Sequence, residues 1–402
     1  MITRPHYLDK LKTYSGKPFI KVIAGMRRAG KSTLLGQYRE HLIQAGVDEG
    51  SIIQINKELL EFDFIKDYRD LWNYINQEGS GKDGMKYLLI DEVQEIDQWE
   101  KAVNSFLAEG IYDITITGSN ARMLSTELST LLAGRYIEIA MQPFSFKEFR
   151  AYRMLQFPDE SIRDSFRHYM RYGGLPGLHN LPFNDETLFP YLNAIYNTVL
   201  LKDVVTRNKI RDVEQLERIA RFVLTNCGNI TSAKSIADYL KSQRLKISVE
   251  TVQNYLHYLT QAFMMHKVRR YDIKGKRLLE YSEKYYPADP GLRFGIAGYS
   301  DSDISGILEN LVFLELIRRG YTVYVGQSGA LEVDFVAEKQ EEKIYIQVAY
   351  LMNDEKTIER EFGNLMQISD NFPKMVLSLD DFWPQNREGI LRRNILDFLL
   401  EE

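Results

Sequence analysis

Residues Gly25 to Ser32 read Gly-Met-Arg-Arg-Ala-Gly-Lys-Ser, a complete phosphate-binding loop, and the sequence on either side of it leaves few folds open. The run Phe19 to Ala24 ahead of it predicts a buried strand, and Ser32 to Ile43 behind it has helical spacing. A strand, a glycine-bearing loop and a helix in that order are what phosphate binding requires. Gly25 and Gly30 let the backbone curl, so that N–H groups and the helix N-terminus converge on a β-phosphate. Candidate contacts to a nucleotide are Gly25, Arg28, Ala29, Gly30, Lys31, Ser32 and Thr33. Lys31 would bridge the β- and γ-phosphates, and the Ser32 hydroxyl would ligate Mg²⁺. The expected fold class is α/β, built on a parallel sheet.

A second apolar strand, Tyr87 to Ile90, runs into Asp91-Glu92. Asp91 would hold Mg²⁺, and Glu92 is placed to polarise an attacking water, which points to hydrolysis rather than nucleotide binding alone. Ser51 to Asn56 predicts a further strand between the two motifs, with a helix over Ile65 to Gln77. Such an extra strand separates ATPases with a catalytic glutamate from simple nucleotide kinases. Asn56 could hold Glu92 in an idle rotamer or could simply cap a loop. Asp113 to Thr117 predicts a strand ending in Gly118-Ser119-Asn120, and Arg122 and Arg135 follow. Either arginine could offset charge on a transferring phosphoryl group or make a surface ion pair.

Taken together, Gly-Met-Arg-Arg-Ala-Gly-Lys-Ser, Leu-Leu-Ile-Asp-Glu-Val-Gln, Thr-Gly-Ser-Asn and Leu-Ala-Gly-Arg-Tyr resemble a large family of bacterial and archaeal AAA-type ATPases with a nuclease-like C-terminal domain. The likeness extends over nearly the whole chain. It implies ATP as the nucleotide, and a polar residue at the end of the Asp113 strand, Asn120 or Ser119, as the γ-phosphate sensor. In that family an Arg-Pro-x-Tyr run, here Arg4-Pro5-His6-Tyr7, precedes the first strand and is expected to lie against the base. The residues themselves suggest no more than stacking of Arg4 or Tyr7 on adenine.

Beyond the ATPase core, Pro143 to Phe149 is expected to close the sheet, and helices to about Asn208 suggest a lid. Tyr172-Gly-Gly-Leu-Pro176 interrupts them as a tight turn. From Val213, three helical stretches and a strand pair joined at Ile273-Lys-Gly275 predict a winged helix. Thr231 to Lys284 carries 11 Lys and Arg against 5 Asp and Glu, a local +6, so the net −5 of the whole chain leaves −11 elsewhere. If this module meets duplex DNA, Thr251, Gln253, Asn254 and His257 would face bases. Lys267, Arg269, Arg270, Lys274, Lys276 and Arg277 would then meet phosphate. The helix opened by Ser248 carries Glu250 and almost no basic residue, which is poor chemistry for an independent reader, and such modules also dock proteins.

The C-terminal segment has a helix, Glu309 to Arg319, and three strands, an order that resembles the core of metal-dependent restriction-type nucleases. The resemblance assigns Glu309, Asp334 and Gln347 to the metal-binding places. Ala349 stands where an activating lysine is expected, which implies a degenerate fold used for contact. The expected domains are 1–145 (ATPase core), 146–210 (helical lid), 211–290 (winged helix) and 291–402 (nuclease-like). A single cysteine, Cys227, excludes an internal disulfide and suits a reducing compartment, where its role is that of a small buried residue. No stretch approaches a membrane span, so a cytoplasmic protein is expected. ATP and Mg²⁺ are the expected ligands, DNA or a protein the expected partner, and an oligomer is compatible with the sequence. An ATP-driven molecular switch is the leading reading; an ATP-regulated nuclease and a small-molecule kinase are the competing ones.

Overall fold

The computed structural model describes residues 2–81, 83–121, 132, 134–298, 303–329, 331–352, 354–381 and 386–401. The chain divides into two compact units, one of residues 1–142 with 261–263 and one of 143–260 with 264–402.

The first unit is built on a parallel sheet of five strands: β1 (Ile20–Ala24), β2 (Ile52–Asn56), β3 (Lys86–Asp91), β4 (Tyr112–Gly118) and β5 (Tyr136–Ala140), in spatial order β2-β3-β4-β1-β5. Between them run α1 (Pro5–Thr13), α2 (Lys31–Gln44), α3 (Tyr68–Gly79) and α4 (Trp99–Glu109). Every residue of β1 and β4 is buried, because helices cover both faces of a parallel sheet and the strands must be apolar throughout. One apolar cluster packs Ile20, Val22, Leu88, Ile90, Ile114 and Ile116 under α3 and α4; another packs Ile23 and Leu89 against Leu34, Leu35 and Tyr38 of α2. Charge enters β1 once, at Lys21. Its ammonium lies 2.6 Å from Asp113 Oδ1, with both side chains fully buried.

The strand that closes this sheet is β5, not Pro143 to Phe149 as expected. Ser145 accepts from the Glu148 N–H while the Glu148 carboxylate accepts from the Ser145 N–H. This capping box starts a helix, α5 (Phe146–Gln156), at the point where a strand was anticipated.

In the second unit, α5 is followed by α6 (Ile162–Tyr172), α7 (Asp185–Thr198), a π-helical stretch over Val199–Thr206, α8 (Val213–Thr225), α9 (Ala233–Ser242) and α10 (Val249–Gln261). Ser248 caps α10, whose buried residues are the anticipated Val252, Tyr255, Leu256 and Leu259. The antiparallel pair β6 (Met265–Asp272) and β7 (Arg277–Pro287) follows, then α11 (Pro290–Ala297) and α12 (Ile304–Arg318). The chain ends with β8 (Thr322–Ser328), β9 (Leu331–Lys339), β10 (Glu342–Val348), α13 (Glu355–Met366), β11 (Lys374–Ser378), β12 (Asn386–Arg387), β13 (Ile390–Asn394) and α14 (Ile395–Leu400).

These strands form one sheet in the order β12-β13-β11-β10-β9-β8-β6-β7. The hairpin expected to be the wing of a winged helix is therefore part of the C-terminal sheet. Arg270 to Asp272 pair in parallel with Val325 to Gln327, so the expected break at 290/291 is crossed by backbone hydrogen bonds.

The Gly173-Gly174 pair has a specific cause. Gly173 has φ +81°, and a Cβ there would fall 1.8 Å from Asp289 Oδ1. The Asp289 carboxylate accepts from the N–H groups of Gly174 (2.7 Å) and Gly291 (2.8 Å). Burial pushes that carboxyl up to about 7, against the pull of its backbone donors.

Candidate nucleotide site

Lys31, Asp91, Glu92, Ser119 and Asn120 lie at the carboxyl ends of β1, β3 and β4, where ligands sit in open parallel sheets. Ala24 registers with Gly118, and the Gly25 N–H donates to the Gly118 carbonyl at 3.3 Å. Glycine at position 25 is required by packing rather than by curl: a Cβ would lie 2.1 Å from the Met141 carbonyl oxygen. Gly30 does supply a left-handed turn, at φ +100°, and starts α2 at Lys31. Arg28 also has positive φ, +68°, and is exposed, whereas Ala29 is buried. Ser32 and Thr33 are exposed on the first turn of α2.

Lys31 is buried and folds back on the loop, donating to the carbonyls of Gly25 (3.1 Å) and Met26 (3.2 Å) with Glu92 Oε1 3.6 Å away. Glu92 has φ +53°, ψ +50°, a left-handed conformation that costs a non-glycine residue roughly 1 kcal/mol or more. Its N–H donates to Thr117 Oγ1 at 3.1 Å, and the Thr117 hydroxyl in turn donates to Asp91 Oδ1. Gln94 Nε2 donates to the Glu92 carboxylate, and Arg27 Nη2 lies 4.0 Å from it. Asn56 plays the loop-capping role: its Oδ1 accepts from the Glu58 N–H at 2.9 Å.

Asp91 Oδ2 is buried and has no hydrogen-bond partner among the described residues. With Oδ1 already bonded to Thr117, the open lone pairs of Oδ2 suit a hard, oxygen-seeking cation. Together with the exposed Ser32 hydroxyl at the start of α2, the donor set fits Mg²⁺.

Ser119 and Asn120 are both buried just beyond β4. Arg122 lies outside the described residues. Arg135 is exposed and precedes β5, with its carbonyl accepting from the Ile20 N–H at 3.0 Å. Tyr136 registers with Ile20 and Ala140 with Ala24, so five residues at ~3.3 Å each place the Arg135 backbone at the opposite edge of the sheet, roughly 16 Å below the loop. Arg135 is therefore not brought to the phosphate loop of its own chain.

Tyr7 also departs from expectation. It is 2% exposed, its ring is covered by the Arg4 guanidinium at 4.5 Å, and its hydroxyl accepts from the Gln142 N–H at 3.2 Å. Arg4 Nη1 donates to the carbonyls of Gln142 (2.8 Å) and Ala29 (3.3 Å). The Arg-Pro-x-Tyr run thus ties the phosphate loop to the segment after β5, and Tyr7 has no face left for a base.

In the second unit, Glu309 lies on α12, Asp334 on β9 and Gln347 on β10. The Asp334 N–H donates to Gln347 Oε1 at 3.3 Å, and Asp334 Oδ2 accepts from the Val348 N–H at 2.8 Å. Glu309 Oε1 accepts from Lys284 Nζ at 2.7 Å and from the Tyr286 hydroxyl. Burial, with Glu309 nearby, pushes the Asp334 carboxyl well above the usual range. Burial lowers the Lys284 ammonium, but Glu309, Asp334 and Glu332 outweigh it and leave its pKa raised. Among the described residues, no three His, Cys, Asp or Glu side chains are arranged to hold a metal.

Sequence reasoning missed Thr117, Gln94, Arg27 and Lys284. Thr117 carried a weak signal, as the last of three polar residues, after Asp113 and Thr115, in the buried central strand β4.

Residues 17–150 match the AAA domain family, and residues 163–303 match a domain of unknown function, DUF8612. An uncharacterized protein of Haemophilus influenzae is 37% identical over 402 residues, covering 100% of this chain and 99% of that one. The uncharacterized protein MJ1544 of Methanocaldococcus jannaschii is 31% identical over 367 residues, covering 85% of this chain and 77% of that one. Among solved structures, the Walker-type ATPase PABY2304 of Pyrococcus abyssi is similar at TM-score 0.48 and 15% identity, over 73% of this chain and 96% of that one. The first unit is a P-loop ATPase fold of AAA type, which implies nucleotide binding. The chain belongs to the family represented by the Haemophilus and Methanocaldococcus proteins. No helix of the described residues is long and apolar enough to cross a membrane.

Proposed function

We propose that the chain is an ATP-hydrolysing molecular switch that acts on a DNA or protein partner through its second unit. The observation that carries this reading is the buried constellation of Lys31, Asp91, Glu92 and Thr117 at the carboxyl edge of the sheet. Lys31, released from the Gly25 and Met26 carbonyls, would reach the β- and γ-phosphates. Asp91 and Ser32 would hold Mg²⁺, which supplies charge neutralisation on the phosphate oxygens. Glu92 would take the proton of the attacking water, in an orientation fixed by Thr117 through its backbone. Asn120 or Ser119 would sense the γ-phosphate. Arg135, at the far edge of its own sheet, would serve as a charge-offsetting finger only toward a neighbouring copy.

The choice of ATP rests on the family resemblance. Helices α8, α9 and α10 with the β6–β7 pair support a winged-helix reading of the partner module, although Lys267 is paired with Glu283 at 2.5 Å and Lys284 is buried. The test is ATP turnover by the full chain with and without duplex, single-stranded and structured DNA. Lys31→Ala should abolish nucleotide binding or turnover. Glu92→Gln should retain binding and lose about 10²–10⁴ in turnover. Full activity in either variant refutes the reading, and stimulation by one DNA form identifies the partner class.

A further inference from the structure

The resemblance of α12, β9 and β10 to metal-dependent nucleases leads one to expect a divalent cation between Glu309 and Asp334. The geometry offers a different cation. Lys284, on β7, is 2% exposed, and its ammonium lies 2.7 Å from Glu309 Oε1 and 2.7 Å from Glu332 Oε1. Both are ordinary lengths for an N⁺–H···O⁻ bond, whereas Mg²⁺ would need oxygens at roughly 2.0–2.1 Å in an octahedral shell. Glu309 is fastened a second time by the Tyr286 hydroxyl, and Asp334 Oδ2 is used by the Val348 N–H. Gln347, the third expected ligand, spends its carbonyl oxygen on the Asp334 N–H. Every expected ligand is thus already held by a donor of this chain.

We infer that Lys284 is a built-in cation that takes the place of the metal, so that the C-terminal acidic cluster is a filled, non-catalytic site. The lysine was not evident from the nuclease pattern because it comes from the β6–β7 pair. That pair enters the same sheet only through the β6–β8 ladder. An ammonium held between Glu309 and Glu332, beside Asp334, repels a divalent ion by charge and neutralises the carboxylate that would bind it, with its N–H donors spent on Glu309 and Glu332. The inference stands independently of ATP hydrolysis.

The test is Mn²⁺ titration of the nucleotide-free full chain, carried out in an Asp91→Asn background to silence the first unit. With Lys284 present, no Mn²⁺ should bind at this cluster at millimolar concentration. Lys284→Met should create one site, about tenfold or more tighter, that disappears when Asp334→Asn is added. A site present with Lys284 intact and lost on Asp334→Asn would overturn the inference. A folded Lys284→Met chain that binds no Mn²⁺ would overturn it equally. Should Lys284→Met fail to fold, the same question is put to the unsubstituted lysine by its side-chain ammonium NMR signal, assigned by its loss in Lys284→Arg. A signal left sharp by Mn²⁺ supports the filled site, and one broadened by the ion refutes it.

Discussion

Thr117→Val removes one hydroxyl from the candidate site while nearly conserving shape, and the structure sets a size for the effect. The Thr117 hydroxyl is both acceptor and donor: it takes the Glu92 N–H at 3.1 Å and gives its proton to Asp91 Oδ1. Valine leaves a buried backbone N–H unsatisfied, at about 1–3 kcal/mol, and takes a charge-assisted bond from Asp91, at about 1.5–3 kcal/mol. The added methyl returns about 0.8 kcal/mol by burial, so a net loss of about 2–5 kcal/mol is expected. At roughly 4 °C per kcal/mol for a unit of this size, the melting transition should fall by about 8–20 °C. Urea or thermal unfolding followed by tryptophan fluorescence reads this unit well, because Trp72 and Trp99 lie within it. Turnover should fall by about tenfold to a hundredfold, since Glu92 loses the bond that holds its left-handed backbone. Thr117→Ser keeps the hydroxyl and should cost about 1 kcal/mol with turnover preserved. A valine variant within about 0.5 kcal/mol of the parent, hydrolysing ATP at the parent's rate, would refute the claim that Thr117 organises this site.

Lys21→Met strands the fully buried Asp113 carboxylate and should destabilise the first unit by about 3–5 kcal/mol in urea unfolding, and adding Asp113→Asn should recover part of it. No recovery would mean that packing, not charge, holds that pair. His179 is buried among Phe144, Phe149, Tyr152 and Phe183 with neither ring nitrogen bonded among the described residues, and burial lowers its pKa to about 4. Between pH 6.5 and 4 the unfolded chain takes up a proton that the folded imidazole refuses, so stability is lost as pH falls through that window, by about 3 kcal/mol in all. His179→Phe should flatten this limb of the stability–pH curve, and an unchanged slope would assign it to other groups. Charge reversal of the exposed Arg269, Lys274 and Lys276 should reduce the salt slope of any DNA binding by up to about 3. An unchanged slope removes the β6–β7 pair from the contact.

The nucleotide half of the molecule was legible because its signals are local. A glycine-bearing loop between a strand and a helix, and a carboxylate pair at a strand end, fix backbone conformation and chemistry within a few residues. Their convergence then follows from the parallel sheet that apolar strands and connecting helices impose. Thus the Lys31 ammonium lies 3.6 Å from the Glu92 carboxylate, and α10 follows its Ser248 cap and buries the anticipated stripe.

What sequence could not supply was register and pairing between distant strands. Whether Arg135 falls at the phosphate edge or the opposite one depends on β5 aligning Tyr136 with Ile20, which no local pattern encodes. Tyr7 was a candidate for stacking on adenine and is covered in space, because Arg4 lies over its ring and reaches back to Ala29 and Gln142. Lys284 was one basic residue among many in a basic segment until the β6–β8 ladder carried it into the Glu309 cluster. The sequence by itself determined the phosphate-binding chemistry, since that needs only neighbours along the chain. The tertiary structure alone decided which charges meet, because two side chains interact strongly only when folding brings them within a few ångströms and away from water.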